Sequence, residues 1–248
     1  MWYIKEFLQT YILKEIYENK SSKDFVFYWG TSLRFLFWLN RLSEDLDFVS
    51  KDFEDYEILA KHLVKFFDKY NLEINYKVQK FRIILNFKNL LDHFNLRFWN
   101  SRDLYIKIEI SDHIDFCEKY EIKTYPIFKL NQALLIKSFD KDTLFSTKLN
   151  AVLHRKWEKQ IWEDKLTVKW RDIYDLFWYL SNDFKPNLDC IIWVESLDDL
   201  KEKLKNIINN ISFKEVILDI ENFLEDESLL EFLKNNWKEV LLAKIKEI

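Results

Sequence analysis

Glycine is almost absent from this sequence, which has one glycine, two prolines and two cysteines in 248 residues. Average usage predicts roughly 17 glycines in a chain of this length. Most turns must therefore form without glycine, and the position of the single Gly30 is informative. The cysteines, Cys117 and Cys190, form no CxxC pair and have no histidine partner nearby. This spacing argues against a zinc site and fits two separate thiols in a reducing cytoplasm.

Long apolar runs are also missing. No segment approaches the roughly 20 consecutive apolar residues that a membrane-spanning helix needs. Charged residues interrupt the N-terminal segment, so it does not resemble a signal peptide. The balance of 48% apolar and 32% charged residues is typical of a folded globular protein. We expect a soluble cytoplasmic protein that does not associate with a membrane.

An overall basic charge is missing too, since the formal net charge is −4. A nucleic-acid-binding protein usually carries a surplus of positive charge. One segment departs from the average: residues 148–171 contain seven basic residues and three acidic ones. Two interpretations stay open, a solvated helix face with its loop and a surface for nucleic-acid phosphates.

The hydrophobic pattern predicts an α+β fold, with a mixed sheet and helices up to about residue 138 and a mainly helical half afterwards. We assign a first domain to 1–138 and a second, which contributes to the active site, to 139–248. Helices are predicted at 4–16, 31–39, 53–67, 142–156, 170–182, 196–210 and 226–246. Strands are predicted at 25–29, 46–48, 73–78, 81–87 and 104–111, with a weaker one after Pro126.

The first candidate site combines a turn with a pair of carboxylates. Gly30 and Thr31 lie where a predicted strand meets a helix, and Asp45 and Asp47 follow thirteen residues later at a second strand. Carboxylates at positions i and i+2 of an extended segment point to the same side and can bind one metal ion. A helix N-terminus suits a triphosphate, to which Thr31 and Ser43 can add hydrogen bonds. The alternatives are a plain helix-entry turn and a turn or cap role for Asp45.

A third acid often completes such a site from a neighbouring strand. Glu109 is the candidate, because it projects from the polar face of the strand at 104–111. An ordinary surface glutamate paired with Lys107 or with a cross-strand lysine is the alternative. The expected metal is Mg²⁺, bound as one ion or two, with Mn²⁺ as a substitute.

A second group of charged residues lies on two later predicted helices. Lys148 and Arg155 are seven residues apart and share one helix face. Asp172 and Asp175 are three residues apart and are neighbours on the next helix. Acids in the first turn of a helix are also explained by the helix dipole alone.

These motifs resemble those of one family. Segments 29–33 (WGTSL) and 41–48 (RLSEDLDF) are similar to the signature of the AbiEii/AbiGii toxin family of nucleotidyltransferases, in the polymerase-β-like superfamily. Segments 148–155 (KLNAVLHR) and 171–176 (RDIYDL) are similar to the later motifs of that family, in the same order. One departure is Trp29, at a position where relatives usually have a first glycine before Gly30.

The resemblance implies a polymerase-β-like nucleotidyltransferase core and a role for each motif. It implies that Asp45 and Asp47 bind the metal, that Lys148 contacts the phosphates, and that the motif from Arg171 to Asp175 completes the site. The predicted catalytic residues are Asp45, Asp47, Lys148, Asp172 and Asp175. The predicted nucleotide-binding residues are Gly30, Thr31, Arg41, Ser43, Lys148 and Arg171, and the predicted metal ligands are Asp45, Asp47 and Glu109.

The resemblance also implies the toxin of a toxin–antitoxin pair. The expected reaction transfers a nucleotidyl group from a nucleoside triphosphate to an acceptor hydroxyl, with a transfer RNA 3′ end as the acceptor and pyrophosphate as the product. The expected partners are the nucleoside triphosphate, the RNA and an antitoxin protein. Transfer to a small molecule or a protein side chain is one alternative, and a nucleotide-binding relative without catalysis is another.

Overall fold

The structure, a computed structural model, describes residues 2–97, 101–112, 117, 119–155, 159–161, 164–166, 169–211 and 220–248. The chain forms two compact units. The first comprises Met1–Phe37, Ser43–Ile114 and Ile122–Ser138, and the second comprises Trp38–Leu42, Asp115–Glu121 and Phe139–Ile248. Short segments of the second unit are therefore inserted between segments of the first.

The first unit is a mixed sheet covered by helices. Its helices are α1 (Trp2–Glu18), α2 (Trp29–Phe37) and α3 (Tyr56–Asp68), with a short 3₁₀ helix at Leu90–Phe94. Its strands are β1 (Val26–Tyr28), β2 (Leu46–Val49), β3 (Ile74–Gln79), β4 (Arg82–Phe87), β5 (Leu104–Ser111), β6 (Ile122–Lys129) and β7 (Gln132–Phe139). They form one seven-stranded sheet in the order β3-β4-β5-β2-β1-β7-β6. Strand β2 is parallel to β5 and antiparallel to β1, and β1 is parallel to β7.

The alternating pattern of β5 explains how the sheet is oriented. Leu104, Ile106 and Ile108 are buried, whereas Tyr105 and Lys107 between them are exposed. Strand side chains alternate between the two faces, so one face of β5 joins the core and the other carries polar groups. Helices α1 and α3 pack on the sheet and cover the apolar face. The polar face is left for the residues of the candidate site.

Strand β6 ends the sheet and contains Pro126. Proline has no N–H to donate to a neighbouring strand, so within sheets it is found mainly on edge strands. The sequence prediction placed a weaker strand after Pro126, and the structure instead places Pro126 inside β6 and adds β7 beside it.

The second unit is mainly helical. Its helices are α4 (Lys141–His154), α5 (Trp170–Ser181), α6 (Leu197–Asn210) and α7 (Glu227–Glu247), with 3₁₀ helices at Leu188–Cys190 and Glu221–Phe223. Asp140 caps α4, because its Oδ1 accepts hydrogen bonds from the N–H groups of Asp142 and Thr143. A two-stranded hairpin of β8 (Lys159–Ile161) and β9 (Asp164–Leu166) lies in the basic segment, where no strand was expected.

The structure confirms the predicted α+β fold class, with a mixed sheet followed by a helical part. The prediction of two separate thiols is wrong, because Cys117 and Cys190 form a disulfide with their Cα atoms 4.4 Å apart. In the part of the chain that the structure describes, none of the helices is both long enough and apolar enough to cross a membrane.

Candidate active site

The two predicted metal ligands lie at the start of strand β2. Asp45 directly precedes the strand and Asp47 is its second residue. In register, Asp47 lies opposite Tyr28 of β1 on one side and opposite Glu109 of β5 on the other. Paired residues of neighbouring strands project from the same face of a sheet. Asp47 and Glu109 therefore share the polar face, and with Asp45 they form what we call the carboxylate group.

The loop that carries Asp45 is held in place from two sides. The buried Thr31 hydroxyl, at the start of α2, lies 2.8 Å from the Ser43 hydroxyl and also contacts the backbone carbonyl of Asp45. Gln9 of α1 donates hydrogen bonds to the carbonyls of Ser43, at 3.2 Å, and Glu44, at 3.0 Å. These contacts join α1, α2 and the entry to β2, so the backbone of Asp45 is fixed before any ligand binds.

Basic side chains are the partners of two members of the carboxylate group. The Nη2 atom of Arg82, on β4, lies 2.9 Å from the Oε1 atom of Glu109, and the Lys107 Nζ atom lies 3.8 Å from the Asp45 Oδ1 atom. The side chains of Arg82 and Lys107 are 40% and 46% exposed, so both pairs are screened by water. Ion pairs of this kind are weak and exchangeable.

The donor atoms of the carboxylate group fit a hard divalent cation. Magnesium binds one or two carboxylates together with water and phosphate oxygens and does not require a complete protein cage. Among the described residues, no three acidic, histidine or cysteine side chains come close enough together to hold a metal ion between them. Asp45 and Asp47 thus offer an incomplete set of oxygen ligands that suits Mg²⁺ bound together with a nucleotide.

The backbone at the start of α2 differs from the expected one. Trp29, rather than Gly30, adopts the left-handed conformation, with φ of 63°, while the single glycine has a negative φ. A bulky residue at positive φ is a true outlier and costs on the order of 1–2 kcal/mol. The predicted helix start at residue 31 is also wrong, because α2 begins at Trp29 and contains the buried Gly30 in its first turn. Gly30 therefore serves as a residue without a side chain at a buried position.

The charged residues of the second unit form a buried ion network, which we define as Arg41, Lys148, Arg155, Asp172 and Asp175. Its centre is Asp175, which is fully buried. Arg41 binds Asp175 through two hydrogen bonds, from Nε at 2.6 Å and from Nη2 at 2.7 Å. The Lys148 Nζ atom lies 2.9 Å from both Asp172 and Asp175. The predicted proximity of the two aspartates on α5 is therefore confirmed.

Electrostatics keep both aspartates ionised. Burial on its own raises the pKa of Asp172, but the charges of Lys148 and Arg155 outweigh it and lower that pKa to about 2. Burial likewise raises the pKa of Asp175, and the Arg41 and Lys148 charges lower it below its usual value. The Arg155 Nη1 atom lies 2.7 Å from Asp172, to which Lys148 also bonds, so the two basic side chains do lie together. Arg155 directly follows α4 in extended backbone, however, so the prediction that it lies on the helix itself is wrong. The buried ion network thus contains three basic and two acidic side chains.

Two further basic residues adjoin this network. The Arg171 guanidinium lies over the Phe223 ring, 4.4 Å from its centroid, in a cation–π contact. Burial lowers the pKa of Lys169, and the charges of Arg171, Arg155 and Lys148 lower it further. Of the basic residues predicted for a nucleic-acid surface, Lys156 and the side chains of Lys159 and Lys165 lie outside the described residues.

Comparison with known proteins assigns the chain to a family. The family model for the nucleotidyl transferase AbiEii toxin, a type IV toxin–antitoxin system, matches residues 11–244. This chain belongs to that family. The match confirms the resemblance drawn from the four short motifs, and it extends over the helical half of the AbiEii chain as well. No curated protein matches the chain significantly.

Two of the solved structures that match the chain share its fold. JHP933 from Helicobacter pylori is 17% identical, with a TM-score of 0.54, and the alignment covers 99% of this chain and 90% of that protein. A second H. pylori structure, described as a candidate nucleotidyltransferase, is 18% identical, with a TM-score of 0.51 and coverage of 98% and 92%. At these identities the likeness shows the nucleotidyltransferase-like fold and nothing about substrates.

The predicted site residues of this AbiEii chain fall into two groups. In the first unit Thr31, which follows Gly30 on α2, contacts Ser43 and the Asp45 carbonyl, and Asp47 lies in register with Glu109. The second unit brings together Arg41, Lys148, Asp172 and Asp175, with Arg171 next to Asp172 on α5. Arg41 and Lys148 are each only 3% exposed, so both predicted nucleotide ligands are occupied by aspartates within the protein.

Sequence reasoning gave no site role to Arg155 or Arg82, and it offered Lys107 only as a partner of Glu109. In the structure Lys107 lies beside Asp45, and the cross-strand partner of Glu109 is Arg82. Arg155 was visible as the last residue of a motif, and its spacing from Lys148 was the signal. Lys107 precedes Glu109 by two residues, so it shares the polar face of β5, and this was readable from the alternation. Arg82 is placed by its register with Glu109 on the neighbouring strand, which no local pattern reveals.

Proposed function

We propose that this protein is a metal-dependent nucleotidyltransferase that transfers a nucleotidyl group from a nucleoside triphosphate to a hydroxyl group of RNA, with a transfer RNA 3′ end as the acceptor. The observation that carries the proposal is the pair Asp45 and Asp47 at the start of β2, in register with Glu109. Its setting in a chain of the AbiEii nucleotidyl transferase family supports the reaction class.

The carboxylate group would hold the metal. Asp45 and Asp47 would be ligands to one or two Mg²⁺ ions, or to Mn²⁺, and Glu109 would join them once its carboxylate leaves Arg82. The bound ion would neutralise phosphate charge and lower the pKa of the acceptor hydroxyl. Asp47 is nearly buried and Asp45 is held through its backbone carbonyl, so both would keep their positions during the reaction.

The start of α2 would bind the triphosphate. Its first backbone N–H groups and the positive end of its dipole favour an anion. Gly30 leaves room there, because it is buried and has no Cβ. Thr31 and Ser43 support this turn by bonding to each other, so we assign them a positioning role as well as a place beside the phosphates.

The buried ion network would supply positive charge. Lys148 and Arg41 are fixed by aspartates, and preorganised charge of this kind stabilises a transition state without reorganisation. Lys148 and Arg155 lower the pKa of Asp172 to about 2, so this carboxylate is a weak general base near neutrality. We therefore assign Asp172 and Asp175 to holding Lys148 and Arg41, and Arg171 to the edge of this charged region.

The test of the reaction is label transfer. Wild-type protein, Mg²⁺ and each α-labelled nucleoside triphosphate in turn are incubated with total transfer RNA. We expect transfer by the wild type and a loss of about 100-fold or more in Asp45→Asn, because the carboxylate charge is removed. Asp68→Asn, which changes an exposed aspartate of the same unit, is the control and should keep full activity. No transfer by the wild type with any triphosphate, or equal transfer by Asp45→Asn, contradicts the proposal.

The acceptor is tested by salt. Binding of an RNA backbone releases counterions, so turnover on RNA should fall steeply as ionic strength rises. Transfer to a small hydroxyl compound or to a protein side chain should depend on salt only weakly. Turnover that does not change with ionic strength would contradict an RNA acceptor and would favour a small hydroxyl compound or a protein side chain.

A second candidate is a nucleotide-binding relative without catalysis. It is favoured by Trp29, which has a positive φ at a position where the family resemblance implies a glycine, and which so brings an indole to the start of α2. Metal-dependent binding of nucleoside triphosphates without label transfer to any acceptor would support this candidate.

Under the leading proposal the protein acts as the toxin of a toxin–antitoxin pair in the cytoplasm, and coexpression with its antitoxin should relieve growth arrest.

A further inference from the structure

Trp193 is exposed in an unfavourable backbone conformation. Its side chain is 79% exposed and its φ is 55°. A tryptophan loses hydrophobic stabilisation by facing water, and the left-handed conformation costs on the order of 1–2 kcal/mol more. Strained conformations persist only where the surrounding structure enforces them, and they cluster at functional sites.

Helix α4 enforces this conformation. The Asn150 side chain donates to the Cys190 carbonyl at 2.7 Å and accepts from the Ile192 N–H at 2.9 Å. His154, one turn further along, bonds through Nε2 to the Ile192 carbonyl at 3.0 Å, so this nitrogen carries the proton. The His154 ring also meets the Trp193 ring edge to face, with centroids 5.2 Å apart. The indole is therefore braced in place rather than left to move freely.

The same helix places positive charge beside the indole. Arg155 follows His154 directly and bonds to Asp172 of the buried ion network, with 23% of its side chain exposed. The buried ion network contains three basic and two acidic side chains, and Lys169 adjoins it. Burial is the main cause that lowers the pKa of Lys169, and the charges of Arg171, Arg155 and Lys148 lower it further against the opposing charge of Asp172. The positive charge lies on the α4 side of Trp193, whereas the exposed Glu195 and Asp198 follow Trp193 along the chain.

An exposed, rigid aromatic ring next to positive charge is the arrangement that binds single-stranded nucleic acid, since bases stack on the ring and phosphates meet the cations. We propose that Trp193 is a stacking platform for an unpaired base of the RNA acceptor, with Arg155 and Lys169 contacting the adjoining phosphates. The proposal rests on the proposed function for its choice of RNA. It adds a binding residue outside the four motifs of the family.

The test measures binding of a labelled single-stranded RNA of about 12 nucleotides, within the usual size of such sites. Trp193→Ala should weaken binding about five- to 150-fold, because stacking contributes about 1–3 kcal/mol per base. Trp193→Phe should stay within about threefold of the wild type, since phenylalanine keeps an aromatic face. Heparin, a polyanion without bases, should bind Trp193→Ala as tightly as it binds the wild type.

Trp38→Ala is the matched control. Trp38 belongs to the same unit, is 83% exposed and has φ of 64°, so the substitution makes the same change in exposure and strain elsewhere. The stacking proposal is overturned if the wild type does not bind the RNA or if Trp193→Ala binds it normally. It is also overturned if Trp38→Ala loses as much RNA affinity as Trp193→Ala, or if Trp193→Ala loses as much affinity for heparin as for RNA. A protein that docks on Trp193 would give the second of these results.

Label transfer is measured separately, so the two proposals fail independently. If RNA binds through Trp193 but no label is transferred, the stacking proposal stands and the proposed reaction is contradicted. If label is transferred to RNA and Trp193→Ala binds RNA as the wild type does, the stacking proposal is contradicted and the proposed reaction stands.

Discussion

The carboxylate group and the buried ion network contain similar residues in opposite environments. In the first, Asp45 meets Lys107 at 3.8 Å, and both side chains are partly exposed. In the second, Asp175 is fully buried and meets Arg41 at 2.6 Å through two bonds. Burial makes an ion pair costly to form and more costly to break, whereas exposure makes it weak. The difference indicates a fixed scaffold of charge in one unit and exchangeable ligands in the other.

The largest effect is expected from Asp175→Asn. The substitution leaves Arg41 and Lys148 buried without their carboxylate, and breaking a buried pair costs about 3–5 kcal/mol. Urea unfolding measures the loss. Asp45→Asn is the comparison and should change the free energy of unfolding by less than about 0.5 kcal/mol. The contrast between the two regions fails if both variants unfold at the same urea concentration.

A smaller effect is expected from acid. The pKa of Asp172 is about 2 in the folded protein and close to 3.9 in the unfolded chain. The unfolded chain therefore binds more protons between these values, and stability is fully present above about pH 4 and is lost as the pH falls towards 2. The expected loss is about 2 kcal/mol. Urea unfolding of wild type and Asp172→Asn across this range measures it, and an equally steep loss in the variant would count against the assignment.

Substitution of Trp29 should have the next smaller effect. Glycine adopts positive φ without penalty, whereas alanine keeps most of the cost, and both remove the indole. Trp29→Gly should therefore be more stable than Trp29→Ala by about 1 kcal/mol in thermal or urea unfolding. Equal stability would mean that the left-handed turn is not strained.

Lys107→Met should have the smallest effect on stability, below about 0.5 kcal/mol, because its ion pair with Asp45 is exposed. The same substitution should have a measurable effect on metal binding. Removal of the ammonium that competes for Asp45 should raise the affinity for Mn²⁺ about two- to fivefold in a titration. Lys77→Met, an exposed lysine on β3, is the control. Unchanged Mn²⁺ affinity in Lys107→Met would show that Asp45 and Lys107 do not exchange partners with the metal.

Local patterns were sufficient for most elements of the fold. The alternation in β5 gave both the strand and its buried face. The spacing of Lys148 and Arg155 gave their proximity, although Arg155 directly follows α4. The basic hairpin β8–β9 was missed because a charged segment without alternation carries no strand signal. Strand β7 was missed because Pro126 was interpreted as the residue before a strand, whereas it lies inside the edge strand β6.

The sites were harder to predict where they depend on contacts distant in sequence. Arg41 and Asp175 are 134 residues apart, and nothing local shows that one carboxylate will hold the guanidinium. The disulfide of Cys117 and Cys190 spans 73 residues and leaves no spacing signal. At Trp29 the surrounding fold, rather than the residue's own preference, decides the backbone conformation. The glycine-based prediction therefore placed the turn one residue too late.

Segment Trp38–Leu42 has a consequence for any attempt to separate the two units. It lies between α2 and the loop of Asp45 in sequence, yet it belongs to the second unit. A fragment from residue 139 onwards would lack Arg41, and its Asp175 would have lost the guanidinium that holds both carboxylate oxygens. We therefore expect the helical part to need residues 38–42 in order to fold, so the two units cannot be separated by a single cut in the chain.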